Sequence, residues 1–170
     1  MLGQLVRPVR RIANVFLESD SPRQIAAGFA LGMVLGLVPK GNLIAVSLGV
    51  LLFSLRVNTG IGLIAALLFS AAGSSLDPFA DKLGMAVLSA GAIQPTYAAI
   101  YGMPLAPWFE LNNTVVVGSL LIGLYFIYPV YWLTYVMCCQ LRERKLRQAP
   151  VSRSTASRSD ARQPVDRRAA

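Results

Sequence analysis

The sequence predicts an all-α integral membrane protein: a short glycine-rich helical hairpin followed by segments that bring the total to about two to four transmembrane crossings. Three observations predict it. The 170 residues are 55% hydrophobic and only 14% charged, against about 25% charged in an ordinary soluble domain. Several apolar runs are long, and the mean hydropathy is +0.55. The charge is also segregated. Thirteen of the 16 basic residues lie at the two ends (Arg7, Arg10, Arg11, Arg23, and Arg142 onward), with only Lys40, Arg56 and Lys82 between. A pI of 10.1 would suit nucleic acid, but bare charge without a binding fold is a poor signal for it. The distribution instead predicts that both termini are cytoplasmic and that the basic ends meet anionic lipids.

Residues 1–20 carry apolar positions Leu2, Leu5, Val6, Val9, Ile12, Phe16 and Leu17 on one helical face, opposite Arg7, Arg10 and Arg11. This is the pattern of a basic helix lying in the interface. No small-residue cleavage site follows a suitable apolar core, so a cleaved signal peptide is not expected. Residues 21–140 form the predicted membrane domain. Ser21-Pro22 fits an N-cap followed by proline at the first helical position.

Gly28, Gly32 and Gly36 are spaced by four and share one helical face. In lipid such a ladder lets two backbones approach closely. Pro39-Lys40-Gly41-Asn42 then breaks the helix. The runs on either side, 25–38 and 43–55, reach roughly 20 Å each, short of a hydrocarbon core roughly 30 Å thick. They form either a re-entrant hairpin or two short crossings. On the re-entrant reading, Lys40 and Asn42 are candidate functional groups at membrane depth. On the other, Lys40 is an ordinary loop charge.

Residues 57–73 are expected to cross. Asp77-Pro78 then reads as a new helix start, with Asp81 one turn later on the same face. The alternative is that Asp77 and Asp81, beside Lys82, bind a proton, a cation or a polar headgroup. Residues 84–101 are apolar but interrupted by Gln94-Pro95, which suggests a short or half-inserted helix followed by irregular chain. Residues 94–113 lack Lys and Arg and contain Tyr97, Tyr101, Trp108 and Phe109, as a non-cytoplasmic surface should. Asn112 and Asn113 offer caps for the last helix. Residues 115–137 are the clearest crossing, with a second small-residue pair, Ser119 and Gly123, and tyrosines in the second half. Pro129 is a potential kink. Residues 141–170 read as a basic tail, disordered over its Ser/Arg/Ala/Pro-rich part.

Ser21-Pro22, Ile25, Ala26, Gly28-Phe29-Ala30, Gly32, Gly36, Pro39, Gly41, Arg56 and Asn58 together resemble a prokaryotic membrane family, domain of unknown function 2062. The resemblance covers roughly Arg7 to Leu88. Where that family commonly has Asn-Pro, this chain has Asp77-Pro78, and Lys40 inside the Pro-x-Gly turn is less usual there. The resemblance implies a bacterial cytoplasmic-membrane protein. It implies no activity and no site residues.

There is no His, and no nucleophile-elbow or metal-ligand motif. Adjacent Cys138 and Cys139 do not suggest a disulfide framework. No catalytic residue, metal or cofactor is therefore expected. The leading expectation is a non-enzymatic subunit or scaffold of a membrane assembly, homo- or hetero-oligomeric, without a nucleic-acid partner. The second is a small oligomeric transporter using the broken helix at 39–42 and Asp77/Asp81. The third is a lipid-acting membrane enzyme.

Overall fold

The computed structural model describes residues 20–92 and 94–148, the side chains of Lys145 and Gln148 excepted. The expected interfacial helix over 1–20 (Asp20 aside) and the tail from 149 to 170 lie outside the described residues. Within them every regular element is helical: α1 (Pro22–Leu37), α2 (Leu43–Ser54), α3 (Thr59–Leu88), α4 (Gln94–Tyr101), a 3-10 turn (Ala106–Phe109) and α5 (Thr114–Gln148).

α1 begins with a capping box. Gln24 N–H donates to the Ser21 hydroxyl, Ser21 N–H donates back to the Gln24 side chain, and Pro22 opens the helix. It stops at Val38, whose extended backbone is what a residue before proline requires. α2 returns the chain, and α3 sets off again beside α1 in the same direction. Gly28, Gly32 and Gly36 lie against Asn58, Gly62 and Ala66 respectively, so the two helices are parallel in register. A Cβ on Gly28 or Gly32 would collide with the carbonyl of Asn58 or Gly62. α5 runs antiparallel to α3: Gly84 meets the Thr114 backbone, and Gly118 meets that of Ala80. On its buried face Gly123 touches Val34.

Two apolar clusters fill the bundle. Met33, Val34 and Leu37 pack with Phe69, Leu120, Ile127 and Val130. Val38, Ile44, Ala45 and Val116 form the second, covered by Phe109 and Leu111. The 3-10 turn thus folds back over the tip of the α1–α2 hairpin.

α3 and α5 are long and apolar enough to cross a membrane, and only 22% of the most apolar window of each is buried. A core helix of a water-soluble protein buries most of that surface. Their lengths are about 45 Å and 52 Å at 1.5 Å per residue.

Three sequence expectations are corrected. Asp77-Pro78 does not start a helix: α3 is continuous from Thr59 to Leu88 with Pro78 inside it. Packing decides this, because α3 lies against α1 at Gly73 and against α5 at Ala80 and Gly84, on both sides of the proline. Secondly, Gln94-Pro95 does not interrupt a helix over 84–101. It begins α4, and the chain leaves the helix at Ser89, before it. Thirdly, helix continues past residue 140 to Gln148, so the first part of the supposed tail belongs to α5.

Candidate functional site

The turn between α1 and α2 is closed by its own side chains. Lys40 is exposed along its stem but curls back, and Nζ donates to the carbonyls of Leu35 (2.8 Å), Gly36 (3.0 Å) and Val38 (2.8 Å). An ammonium has three donors, and here all three go to the carbonyl end of α1, where a cation is favoured. Asn42 is 2% exposed. Its Oδ1 accepts from Ala45 N–H at 2.8 Å, capping α2, and its Nδ2 donates to the Pro39 carbonyl at 3.0 Å. Gly41 has φ +110°, which disfavours any residue with a Cβ. The broken backbone is therefore satisfied without water or ligand.

Asp77, Asp81 and Lys82 lie in the second half of α3. Asp81 accepts a hydrogen bond from the Thr114 hydroxyl at the first residue of α5. Asp77 is half-buried and Lys82 exposed. The structure does not join these three to the 39–42 turn. Lys40 and Asn42 spend their polar atoms within the turn, and Asp81 is tied to α5. Of the helix-packing candidates, Gly28, Gly32 and Gly36 face α3. Ser119 and Gly123 sit on the buried face of α5, with the Ser119 hydroxyl donating to the Val116 carbonyl at 3.1 Å.

Beyond the hairpin, Tyr97 stacks on Tyr101 with ring centroids 5.2 Å apart. The Tyr101 hydroxyl accepts from Asn112 N–H at 2.8 Å. Burial, with Tyr101 beside it, pushes the Tyr97 phenol up to about 12, so it is neutral at physiological pH. Next to it an apolar hollow of ≈ 470 Å³ is bounded by α4 and the 3-10 turn, with Ile100, Met103 and Phe109 in its wall.

One polar knot escaped the sequence reading. Asn58 is 4% exposed and makes bonds in three directions. Its N–H donates to the Gln24 carbonyl (3.1 Å), its Nδ2 donates to the Asp20 carboxylate (2.7 Å), and its Oδ1 accepts from Ile61 N–H (2.7 Å). Arg142 of α5 donates to the Asp20 carbonyl at 3.0 Å. The starts of α1 and α3 and the basic part of α5 are thereby tied together at one end. Asn-Thr-Gly before an apolar run does mark a cap in sequence, but partners 38 and 122 residues away leave no local trace.

Among the described residues no cluster of three or more His, Cys, Asp or Glu could hold a metal. What the geometry offers is a set of caps and helix ties, with no pair of acid–base or nucleophilic groups converging on a cleft.

Comparison with known proteins agrees with a family lacking a defined activity. No solved structure matches the chain. An uncharacterised protein of Treponema pallidum (strain Nichols) is 32% identical over 127 residues, spanning 75% of this chain and 78% of the relative. Residues 7–147 match the family described as "Uncharacterized protein conserved in bacteria". On a match that takes in all five helices almost to the end of α5, the chain belongs to that family, domain of unknown function 2062.

Proposed function

We propose that this protein is a non-enzymatic subunit or scaffold of an assembly in the bacterial cytoplasmic membrane, crossing the bilayer with both termini on the cytoplasmic side. The observation that carries this reading is the use made of the polar residues. Lys40 and Asn42 cap helices, Asp81 holds the start of α5, and Asn58 ties α1 to α3. Groups committed in this way stabilise a frame rather than await a substrate.

The topology has its own support. The ties of Asn58 to Gln24 and Asp20, and of Arg142 to Asp20, gather the starts of α1 and α3 and the basic part of α5 at one end. The basic residues Arg23, Arg56, Arg142, Arg144 and Arg147 belong to that end, which suits the positive-inside rule and anionic headgroups. The antiparallel pair α3 and α5 serves as the outward and returning spans. The hairpin α1–α2 enters from the same side and stops under the 3-10 turn.

The test is the size of the native particle. Extracted in mild detergent and cross-linked in intact membranes, the protein should run as one discrete species larger than its 18.3 kDa chain. A strictly monomeric protein in both experiments overturns the reading.

A further inference from the structure

α5 turns two flanks away from the bundle, and they differ in chemistry. One carries Phe126, Leu133 and Met137, side chains that acyl chains suit. The other carries Tyr125, Tyr128, Tyr131, Trp132 and Tyr135. At 100° per residue these five fall within an arc of about 120°. Tyr125, Tyr128 and Trp132 are 77%, 73% and 57% exposed. Among the described residues, none of these phenol or indole groups has a hydrogen-bond partner.

Depth makes this unusual. Tyr128 stands midway between Thr114 and Arg142, about 21 Å along the helix from each. In membrane proteins Tyr and Trp gather at the two interfaces, ring in the apolar zone and polar tip in the wet one. A bilayer core roughly 30 Å thick and centred on this helix puts the stripe in its middle. There a lipid-facing phenol finds no acceptor, and an unmatched polar group in hydrocarbon is costly.

Beside the stripe, α1 and α5 leave an apolar groove of ≈ 210 Å³, lined by Ala27, Ala30 and Leu31 with Ile127, Tyr128 and Tyr131. That is several times the ~30 Å³ share of one water molecule, so an aromatic ring fits. Ring and groove therefore lie side by side on one face, at similar depth.

We infer that this face, the aromatic flank of α5 with the α1 groove next to it, is where a second copy of the chain docks as a parallel two-fold dimer. Such a symmetry axis, normal to the membrane, sets each residue against groups of its own depth. A phenol both donates and accepts, so the tyrosines of one copy satisfy those of the other, and a ring of each enters the groove of its mate. Lipid tails offer neither partner. The inference rests on the subunit reading above and names the partner and the face.

Cross-linking in native membranes tests it. In a Cys138→Ser/Cys139→Ser background, Tyr128→Cys should give a disulfide-linked dimer on mild oxidation. Leu67→Cys, on the outer side of α3 and equally exposed, should give none. Cross-linking of position 128 to a different protein overturns the second copy as partner but leaves the subunit reading intact. The same holds for absence of any product at 128 while a larger native species persists. A monomer throughout removes both. A second variant isolates the hydroxyl: Tyr128→Phe keeps the ring and should weaken dimerisation about threefold to tenfold. Unchanged dimerisation in that variant overturns the phenol pairing.

Discussion

The chain meets a proline in or after an apolar helical run at Pro39 and again at Pro78, and only the first ends the helix. At Pro39 everything needed for a change of direction is local. Lys40 takes the carbonyls that α1 leaves open, Gly41 supplies the positive φ, and Asn42 starts α2 while holding the Pro39 carbonyl. At Pro78 the following residues, Phe79-Ala80-Asp81-Lys82-Leu83, supply no turn. The flanking turns of α3 are held by α1 on one side and α5 on the other. A proline in a helix interior costs about 3 kcal/mol or more in isolation, and packing on both sides of it is what offsets that here. Proline ends a helix where its neighbours can satisfy the freed backbone. Where they cannot, tertiary contacts decide.

The largest expected effect comes from removing the platform of the first break. α1 rests on α3 through Gly32, whose Cβ position overlaps the Gly62 backbone. Gly32→Leu should separate the two helices and destabilise the protein by about 3 kcal/mol or more, beyond ordinary overpacking because backbone must move. Thermal unfolding in detergent, followed by circular dichroism, reads this directly. An unchanged midpoint would mean that the α1–α3 seam does not hold the bundle.

The next effect is confined to the turn. Asn42→Ala deletes the cap of α2 and the tie to Pro39 in a buried setting, and should cost about 2 kcal/mol. Asn42→Ser keeps an acceptor for the cap and should recover roughly half. If both variants match the parent in the same unfolding experiment, the turn is held by the apolar cover of Phe109 and Leu111 rather than by its own hydrogen bonds.

The comparison also explains what the sequence revealed. The first break, the Ser21 cap and the Asn113 cap were all legible, because each is settled by residues within four positions. The spacing of Gly28, Gly32 and Gly36 announced a seam, yet not its partner, since Gly62 lies on another helix. Asp77-Pro78 misled because an aspartate before a proline has the same local grammar at a helix start as in a helix interior. Only α5, arriving more than thirty residues later, distinguishes them. Lys40 and Asn42 stood out as polar groups in an apolar stretch. Their type cannot reveal that every polar atom is spent on nearby backbone. Asp20, Asn58 and Arg142 form a knot whose members are too far apart in sequence to be read together.

The smallest effect sharpens the contrast through its sign. Pro78→Ala restores an N–H that can bond the Ser74 carbonyl in a helix that is already continuous. It should stabilise the protein, by about 1 kcal/mol, less than the isolated-helix value because α3 has relaxed around the ring. Pro39→Ala should instead destabilise by a few tenths of a kcal/mol, because the freer residue gives the unfolded chain more conformations while Gly41 and Asn42 still turn the folded one. Unfolding midpoints moving in opposite directions would establish that one proline is used to end a helix and the other is merely carried by one. A loss of stability in Pro78→Ala would mean that α3 needs the interruption, with the Ser74 carbonyl left open for a partner.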